Sequence, residues 1–287
     1  MEKLSADDIV VLVFTSALNL HERALSCQNT WLQDFKFGYL IGGNYIDPEL
    51  KMISAGNFVG EDYASASDKQ YYGLKKLYEM HPDKKWFYIT GCDAYIFSEN
   101  LVNELSKFDS SQDYYIGGDF YQASISNIDF FMPRGGPGFA LSRSLVAKIL
   151  IRFDEIISII ETFDPWLQTA CDRTLCYFLL TMFGVKPTYV KGFYTWPPYF
   201  YSAKHPKVRY GDEIGNNHIT PVISKPIAFH ALSIREMYIL SSGKKLNKNK
   251  LFILFDKILK KISFKLKTKS IINKTFYRNH KTKGFYQ

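Results

Sequence analysis

A series of short apolar runs, separated by segments with helical spacing, constrains the fold of this chain more than any other feature. Residues 7–17, DDIVVLVFTSA, contain a continuous apolar run that is rich in β-branched residues and ends in small polar ones. Such a run is typical of a strand that is buried on both faces. Residues 20–34 then place apolar side chains at helical spacing, which predicts a helix after the strand.

The same alternation continues through the first third of the chain. Residues 37–43 predict a second buried strand, 65–81 a helix, and 86–90 the strand that follows it. Strands that alternate with helices favour an α/β domain with a mainly parallel sheet and right-handed crossovers. The second half is less regular and predicts these elements: strands at 114–121, 186–193 and 225–232, a glycine-rich loop at 132–142, and helices at 142–161 and 166–183.

A single carboxylate, Asp93, follows the strand predicted at 86–90. Ligands of open α/β sheets bind beyond the carboxyl ends of the strands, so this position favours a functional role. A carboxylate there can bind a divalent cation, which in turn can neutralise a diphosphate. Asp is also a preferred turn residue, so the same side chain can simply cap the segment that follows.

The charge is unevenly distributed along the chain. Residues 244–287 hold fourteen Lys or Arg and one acid, Asp256, which is a net +13 in a chain whose total is +8. The remaining residues therefore carry −5. We expect a body of residues 1–243, which ends near Gly243, and a basic tail of 244–287. A mildly acidic body argues against nucleic acid in the main cleft, whereas the tail is suited to an anionic partner.

The cysteines and the apolar runs limit the cellular setting. Four cysteines without metal-type spacing are too few for a disulfide scaffold, so we expect reduced thiols. The apolar run at 9–14 is too short for a signal peptide, and no stretch approaches the ~20 apolar residues of a membrane span. If the sequence is the whole translated chain, the expectation is a protein that is not secreted.

Six stretches resemble, in the same order, motifs of the Fringe-like β1,3-glycosyltransferases of glycosyltransferase family 31. KWFYITGCDAYIFSENL, at 85–101, is similar to a family segment with three consecutive acids, of which the third aligns with Asp93. CDRTLCY, at 171–177, resembles the family's Asp/Glu-Asp-Val-Thr-Val-Gly motif. The other matching stretches are 8–32, 62–86, 134–146 and 229–240.

The resemblance implies a GT-A (Rossmann-like) α/β fold, with a mainly parallel central sheet flanked by helices. It also implies an inverting transferase that passes a sugar from a UDP-sugar to an acceptor hydroxyl. Such chemistry needs a cation for the departing diphosphate, a base for the hydroxyl, and a pocket that aligns the two.

The matching positions supply candidates for the cation site and for the base. Asp93, which would also contact the donor, and His230 match the family's two protein ligands of Mn²⁺, for which Mg²⁺ is the alternative. Taken by itself, His230 in an apolar run is also consistent with a core histidine. Asp172 matches the catalytic base, and its alternative is an exposed helical acid paired with Arg173.

A glycine-rich loop and a tryptophan complete the predicted site. Gly135, Gly136 and Gly138 would let the backbone approach the donor sugar, because side chains would obstruct it. Pro137 replaces a small residue of the family and stiffens the loop without donating an N–H. Trp196 can stack on the acceptor sugar or belong to the core.

Two departures from the family affect the metal site. Gly91 and Cys92 stand where the family has its first two acids, which removes a contact to the ribose or to a metal-bound water and lowers the negative charge. Since Asp93, Asp172 and His230 are all present, the sequence favours an active enzyme. The alternative is a catalytically impaired protein of the same fold that binds a nucleotide sugar or a glycan.

The basic tail predicts a helix that lies on a membrane. Its apolar stripe of Leu251, Phe255, Ile258 and Ile262 is surrounded by lysines, as in interfacial helices. A C-terminal helix packed on the body is the alternative. We expect a cytoplasmic, peripherally membrane-associated enzyme that adds a hexose or an N-acetylhexosamine in β1,3 linkage to a glycan or a lipid-linked glycan. If an N-terminal anchor is missing from the sequence, the Golgi or ER lumen is the alternative location.

Overall fold

The computed structural model describes residues 3–62, 64–201, 209–219 and 223–244 of the chain. Its strands, numbered in chain order, are β1 (Ile9–Phe14), β2 (Phe37–Gly42), β3 (Met52–Ser54), β4 (Trp86–Gly91), β5 (Tyr95–Ile96), β6 (Tyr115–Gly117), β7 (Phe120–Ile125), β8 (Ile128–Pro133), β9 (Phe139–Ser142), β10 (Thr188–Tyr189), β11 (Phe193–Tyr194), β12 (Arg209–Gly211), β13 (Asn217–Ile219) and β14 (Ala228–Phe229). Its α-helices are α1 (Leu25–Asn29), α2 (Ala66–Met80), α3 (Ser98–Leu105), α4 (Arg143–Ile151), α5 (Phe153–Thr162), α6 (Pro165–Thr169), α7 (Cys171–Phe183) and α8 (Ile234–Lys244).

The central sheet has the strand order β10–β6–β9–β4–β1–β2–β3. Within it, β10 is parallel to β6, and β4, β1, β2 and β3 are parallel to one another. Strand β9 runs antiparallel to both of its neighbours, β4 and β6. The prediction of an α/β fold with a mainly parallel central sheet is therefore confirmed.

Strand β1 lies in the middle of this sheet because both of its faces are apolar. Val10 and Leu12 belong to a core that includes Leu74 of α2. Val11 and Val13, which point to the opposite face, are also fully buried. Each buried side chain of this size stabilises the fold by about 1.5–3 kcal/mol, so a run without polar positions is most stable between two covering layers.

The strands of the second half are shorter than the sequence predicts. The run at 114–121 is divided between β6 and β7, because the chain turns at Gly118 and Asp119. The glycine-rich loop is narrower than the predicted 132–142, since Pro133 still belongs to β8 and β9 begins at Phe139.

Three predicted helices are also shorter than expected. The helix at 142–161 is divided into α4 and α5 at Arg152, and the helix at 166–183 into α6 and α7 at Ala170. The helix at 20–34 is reduced to α1, which follows a wide helical turn. Apolar spacing predicts a helical stretch, but it does not show where the axis changes direction.

The first compact unit of the chain is Met1–Ile239. No helix among the described residues is long and apolar enough to cross a bilayer. The predicted boundary near Gly243 stays a prediction, because residues 245–287 lie outside the described part of the chain.

Candidate active site

A three-stranded sheet in the order β11–β14–β5 brings three distant residues to one edge. Strand β14 is antiparallel to β5 and parallel to β11. Asp93 lies just before β5, whereas His230 and Thr195 directly follow β14 and β11. The strand directions therefore place Asp93, His230 and Thr195 at the same end of this sheet.

Asp93 and His230 are in direct contact. The Nε2 atom of His230 lies 3.3 Å from Oδ1 of Asp93, and the two side chains are 26% and 25% exposed. The Nδ1 atom of His230 lies 3.1 Å from the carbonyl oxygen of Thr195, which can only accept, so Nδ1 carries a proton. The guanidinium of Arg23 lies 3.7 Å from the other oxygen of Asp93. This pair is accessible to a ligand.

Neighbouring charges determine the protonation of the pair. Burial alone would raise the pKa of Asp93, but the facing His230 ring and then Arg23 lower that pKa to about 2. Burial likewise disfavours the charged form of His230, yet Asp93 raises the pKa of this imidazole above its ordinary value. The two groups therefore form an ion pair at pH values below the raised pKa of His230.

The glycine-rich loop, residues 134–138, lies against both His230 and Asp172. A Cβ atom on Gly135 would lie 2.5 Å from Oδ2 of Asp172, and one on Gly136 would lie 2.5 Å from Nδ1 of His230. Cβ atoms do not approach other atoms so closely, so a larger residue at either position would have to displace the Asp172 or His230 side chain. Because consecutive Cα atoms are about 3.8 Å apart, the dipeptide brings Asp172 and His230 near each other. The predicted role of these glycines in admitting a donor sugar stays a prediction.

The end of this loop is fixed on strand β4. Gly138 has a φ of +91°, in the left-handed region that favours glycine, and a Cβ atom there would lie 2.7 Å from the carbonyl oxygen of Ile89. The hydroxyl of Tyr88 donates to the carbonyl of Pro137 at 2.6 Å. The loop is thus anchored to the strand that leads into the Asp93 segment.

Asp172, in the first turn of α7, is held by backbone N–H groups. Gly135 donates to Oδ2 at 2.9 Å, and Arg173 donates to Oδ1 at 2.8 Å. Burial raises the pKa of Asp172 and outweighs both hydrogen bonds, which act in the opposite direction. A carboxylate with a raised pKa accepts a proton more readily than an ordinary one.

The Asp93–His230 pair has the chemistry of a partial metal site. Two neighbouring ligands of an octahedral ion, each at about 2.1 Å, lie about 3 Å apart, which fits the 3.3 Å between the two side chains. The Thr195 carbonyl that accepts from Nδ1 of His230 is the kind of hydrogen-bond partner that a metal-binding histidine usually has. Within the described residues, no group of three or more His, Cys, Asp or Glu side chains could hold a metal ion. A cation here would need ligands from a substrate and from water.

The structure shows what replaces the family's first two acids. Cys92 is 7% exposed, and burial raises the pKa of its thiol to about 11, so it is neutral at physiological pH. A Cβ atom on Gly91 would lie 3.2 Å from Oδ1 of Asp93, so a larger side chain there would crowd this carboxylate. Asp93 is consequently the single charged group of the 91–93 segment.

Trp196 lies just beyond the end of β11, at the same end of the three-stranded sheet. It directly follows Thr195, and its ring centroid is 5.6 Å from that of Phe200. The indole is 40% exposed, so the alternative of a core residue is wrong. A sugar-stacking role for Trp196 stays a prediction.

Sequence reasoning missed Asp119. This residue connects Arg134 of the glycine-rich loop to Thr195, whose carbonyl binds His230. Its side chain is 1% exposed, and its φ is +51°, a left-handed conformation. Oδ1 accepts from the N–H of Gly211 at 2.8 Å, and Oδ2 accepts from the hydroxyl of Thr195. The guanidinium of Arg134 lies 3.7 Å from Oδ2. The two glycines before Asp119 are a signal for a turn, although they do not predict a buried acid.

Comparison with known proteins points to one family. A Fringe-like family model matches residues 4–208, well over half of the chain. Over 212 residues the chain is 26% identical to the β-1,3-N-acetylglucosaminyltransferase lunatic fringe of Xenopus laevis. This alignment covers 64% of this chain and 52% of that protein. The chain is 28% identical over 163 residues to lunatic fringe of Danio rerio, at coverages of 52% and 44%. The chain spans about half the length of these curated relatives.

Solved structures give a more distant likeness. The glycosyltransferase GlyE of Streptococcus pneumoniae is 14% identical, with a TM-score of 0.45 over 89% of this chain and 64% of that one. The family match includes Asp93, Asp172 and the glycine-rich loop, whereas His230 lies beyond its last residue. The α/β fold is the class that the resemblance implied, and the chain belongs to the Fringe-like family.

Proposed function

We propose that this chain is an inverting glycosyltransferase that moves a hexose or an N-acetylhexosamine from a UDP-sugar to a glycan hydroxyl, forming a β1,3 linkage. One observation carries the proposal. The dipeptide Gly135–Gly136 has Asp172 against one residue and the Asp93–His230 pair against the other. A proton acceptor thus lies beside two cation ligands. The activity named for the fringe relatives, β-1,3-N-acetylglucosaminyl transfer, is of the same kind.

The donor side would consist of Asp93, His230 and Arg23. Asp93 and His230 would hold Mn²⁺ or Mg²⁺, which supplies a Lewis acid for the charge of the departing diphosphate. Asp93 stays ionised for this role because its pKa is about 2. Thr195 holds the proton on Nδ1 of His230, so Nε2 of the neutral ring is a free ligand. Arg23, at 3.7 Å from Asp93, would add a positive charge next to the diphosphate.

The acceptor side would consist of Asp172 and Trp196. Asp172 would take the proton from the acceptor hydroxyl while that oxygen attacks the anomeric carbon. The N–H groups of Gly135 and Arg173 orient its carboxylate and leave one lone pair on each oxygen for the hydroxyl. Attack from the face opposite the leaving diphosphate inverts the anomeric centre. The exposed indole of Trp196 is a surface on which the acceptor sugar can stack.

A donor-hydrolysis assay tests the proposal without an acceptor, because water can replace the hydroxyl. The chain is incubated with UDP-glucose, UDP-galactose and their N-acetylhexosamine analogues, in Mn²⁺ or in EDTA, and the released UDP is measured. We expect release from at least one donor, and a loss of about 100-fold in EDTA, since a Lewis acid contributes several kcal/mol. If the chain released no UDP from any of the four donors, the proposal would be wrong.

A second candidate function is binding without catalysis, and Gly91 and Cys92 favour it. With Cys92 neutral, the 91–93 segment carries one negative charge where the resemblance implies three. Lower charge weakens cation binding and hence the stabilisation of the leaving group. Mn²⁺-dependent binding of UDP, with no UDP released from any of the four donors, would select this alternative.

We extend the proposal to the basic tail, residues 244–287, which lies outside the described residues after Lys244. Its net +13 and its apolar stripe suit an anionic membrane surface. A cytoplasmic, peripheral enzyme would then lie beside lipid-linked glycan acceptors. The full chain should sediment with vesicles that contain anionic lipid at low salt, whereas a chain that ends at Gly243 should not. Failure of the full chain to sediment would contradict this extension.

A further inference from the structure

A positive charge lies directly beside Asp172, at a position where the family motif has an apolar residue. In the resemblance between residues 171–177 and that motif, Arg173 aligns with a valine. Asp172 and Arg173 both lie in the first turn of α7. This chain therefore presents a guanidinium next to its proposed base, and the resemblance does not account for it.

Two aromatic rings hold this guanidinium. Its central carbon lies 4.4 Å from the ring centroid of Trp166 and 6.0 Å from that of Tyr121. Trp166 is 43% exposed, whereas Tyr121 is half-buried. Contacts with ring faces restrict the plane of a guanidinium and leave N–H groups that can donate to a ligand. Arg173, the residue that follows Asp172, is thus oriented by two rings.

A second arginine near Asp172 provides an internal comparison. The guanidinium of Arg134 lies 4.7 Å from the centroid of the same Tyr121 ring, and 3.7 Å from the buried carboxylate of Asp119, which compensates its charge. Among the residues that the structure describes, Arg173 has no carboxylate oxygen within 4 Å of its guanidinium nitrogens. Its charge acts on the neighbouring Asp172 without a direct ion pair. An arginine that is oriented by rings in this way is suited to bind a carboxylate or a phosphate from outside the protein.

We propose that Arg173, supported by Trp166 and Tyr121, binds an anionic group on the acceptor, either a carboxylate or a phosphate. Asp172 and Arg173 occupy adjacent positions of the first turn of α7, so an acceptor that lies across this turn places a hydroxyl at one and its anionic substituent at the other. This inference rests on the proposed transfer reaction and narrows the acceptor to acidic or phosphorylated glycans. Trp166 adds an exposed ring face beside the bound sugar.

Three soluble probes test this site: methyl β-glucuronide, glucose 6-phosphate and the neutral methyl β-glucoside. Each is titrated into the full chain, with UDP and Mn²⁺ present, and followed by ligand-observed NMR. We expect at least one anionic probe to bind about 10-fold more tightly than the neutral one, as a charge-assisted hydrogen bond provides. The probe that binds more tightly identifies the group as a carboxylate or a phosphate.

Matched variants assign the preference to Arg173. Arg173→Gln should abolish it, and Arg173→Lys, which keeps the charge without the planar fork, should retain only part of it. Arg143→Gln is the control, because Arg143 is exposed and lies far along the sheet from the site. It follows Ser142, which pairs with Trp86 at the start of β4, whereas the Asp93 segment follows the end of that strand. All variants carry the basic tail, so its nonspecific contribution is the same in each. Thermal unfolding confirms that the variants are folded.

Equal affinity for the three probes, no binding of either anionic probe, or a preference that survives Arg173→Gln would overturn the inference. Release of UDP by the wild-type chain reports on the proposed function separately. If no donor is hydrolysed, the proposed function fails, whereas the probe titrations still decide whether Arg173 forms an anion site.

Discussion

The two carboxylates on either side of Gly135–Gly136 have opposite protonation behaviour. Asp93 faces His230 and Arg23, which lower its pKa to about 2 despite burial. Asp172 receives hydrogen bonds from backbone N–H groups, and burial outweighs them and raises its pKa. Neighbours that separate two pKa values in this way provide one site with both a permanent anion and a proton acceptor. The neighbours of each acid, and not its residue type, indicate its role.

The largest expected effect concerns the base alone. Asp172→Asn preserves the shape of the side chain but cannot accept the proton, so the rate of UDP release should fall by at least ~100-fold. Mn²⁺-dependent binding of UDP should stay at the wild-type level, because Asp93 and His230 are unchanged. Calorimetry and the release assay together check both statements. A variant with a nearly normal release rate would remove Asp172 from the reaction.

Alanine at the two consecutive glycines should separate the two sides of the site. In Gly136→Ala the new Cβ displaces His230, so we expect Mn²⁺-dependent UDP binding to weaken by about 10-fold. In Gly135→Ala the Cβ displaces Asp172, so release should slow while UDP binding is retained. Gly60→Ala is the matched control, since its nearest contact would be an ordinary 3.5 Å. Indistinguishable effects of the two alanines would show that the loop moves as a unit.

The resemblance names candidate side chains of this site, but it does not name the residues that support them. Asp93, Asp172 and His230 were identified from matching positions, and the structure places Asp93 in contact with His230. Asp119 was not predictable, because its role requires a left-handed backbone and donors from distant segments such as Thr195. A turn acid and a buried, connecting acid look alike in a single sequence.

The strands of the fold also differ in how well the sequence predicts them. Strand β1 is predictable because every position of it is apolar, and all but Phe14 are fully buried. Strand β14 lies within the strand predicted at 225–232, and β11 overlaps the one predicted at 186–193. Because β5, β11 and β14 have two residues each, the sequence pattern shows neither their ends nor their pairing. These short strands nevertheless decide which side chains meet at the site. Long-range pairing therefore supplied the information that local pattern could not.

The pH dependence of the two sides should also differ. The pKa of His230 is raised above 6.5, so the affinity for Mn²⁺ should fall as the pH drops below that raised value, because a protonated imidazole cannot bind a metal. The pKa of Asp172 is raised above 3.8, so at saturating Mn²⁺ the release rate should fall on an acidic limb above pH 3.8. Rate profiles at several Mn²⁺ concentrations distinguish the two. A single limb that is independent of Mn²⁺ would contradict the separation.

The smallest effect is on the stability of the metal-free protein. Because the pKa of His230 is raised, its pairing with Asp93 stabilises the fold fully below pH 6.5, and this contribution is lost as the pH rises through the raised pKa. Asp93, whose pKa is lowered, contributes above pH 3.8 and stops contributing as the pH falls towards 2. Asp93→Asn should therefore lower the free energy of unfolding by about 1 kcal/mol near pH 5 and by less at pH 9. Urea unfolding at both pH values checks this, and equal losses would count against the ion pair.

Electron paramagnetic resonance of bound Mn²⁺ decides whether Asp93 and His230 share one cation with the donor diphosphate. The full chain is studied with Mn²⁺ and UDP by pulsed methods that detect nuclei close to the ion. We expect a nitrogen coupling from one imidazole together with phosphorus couplings from UDP, and we expect His230→Ala to remove the nitrogen coupling alone. Phosphorus couplings without any imidazole nitrogen in the wild-type chain, or a nitrogen coupling that persists in His230→Ala, would contradict a cation shared by Asp93 and His230.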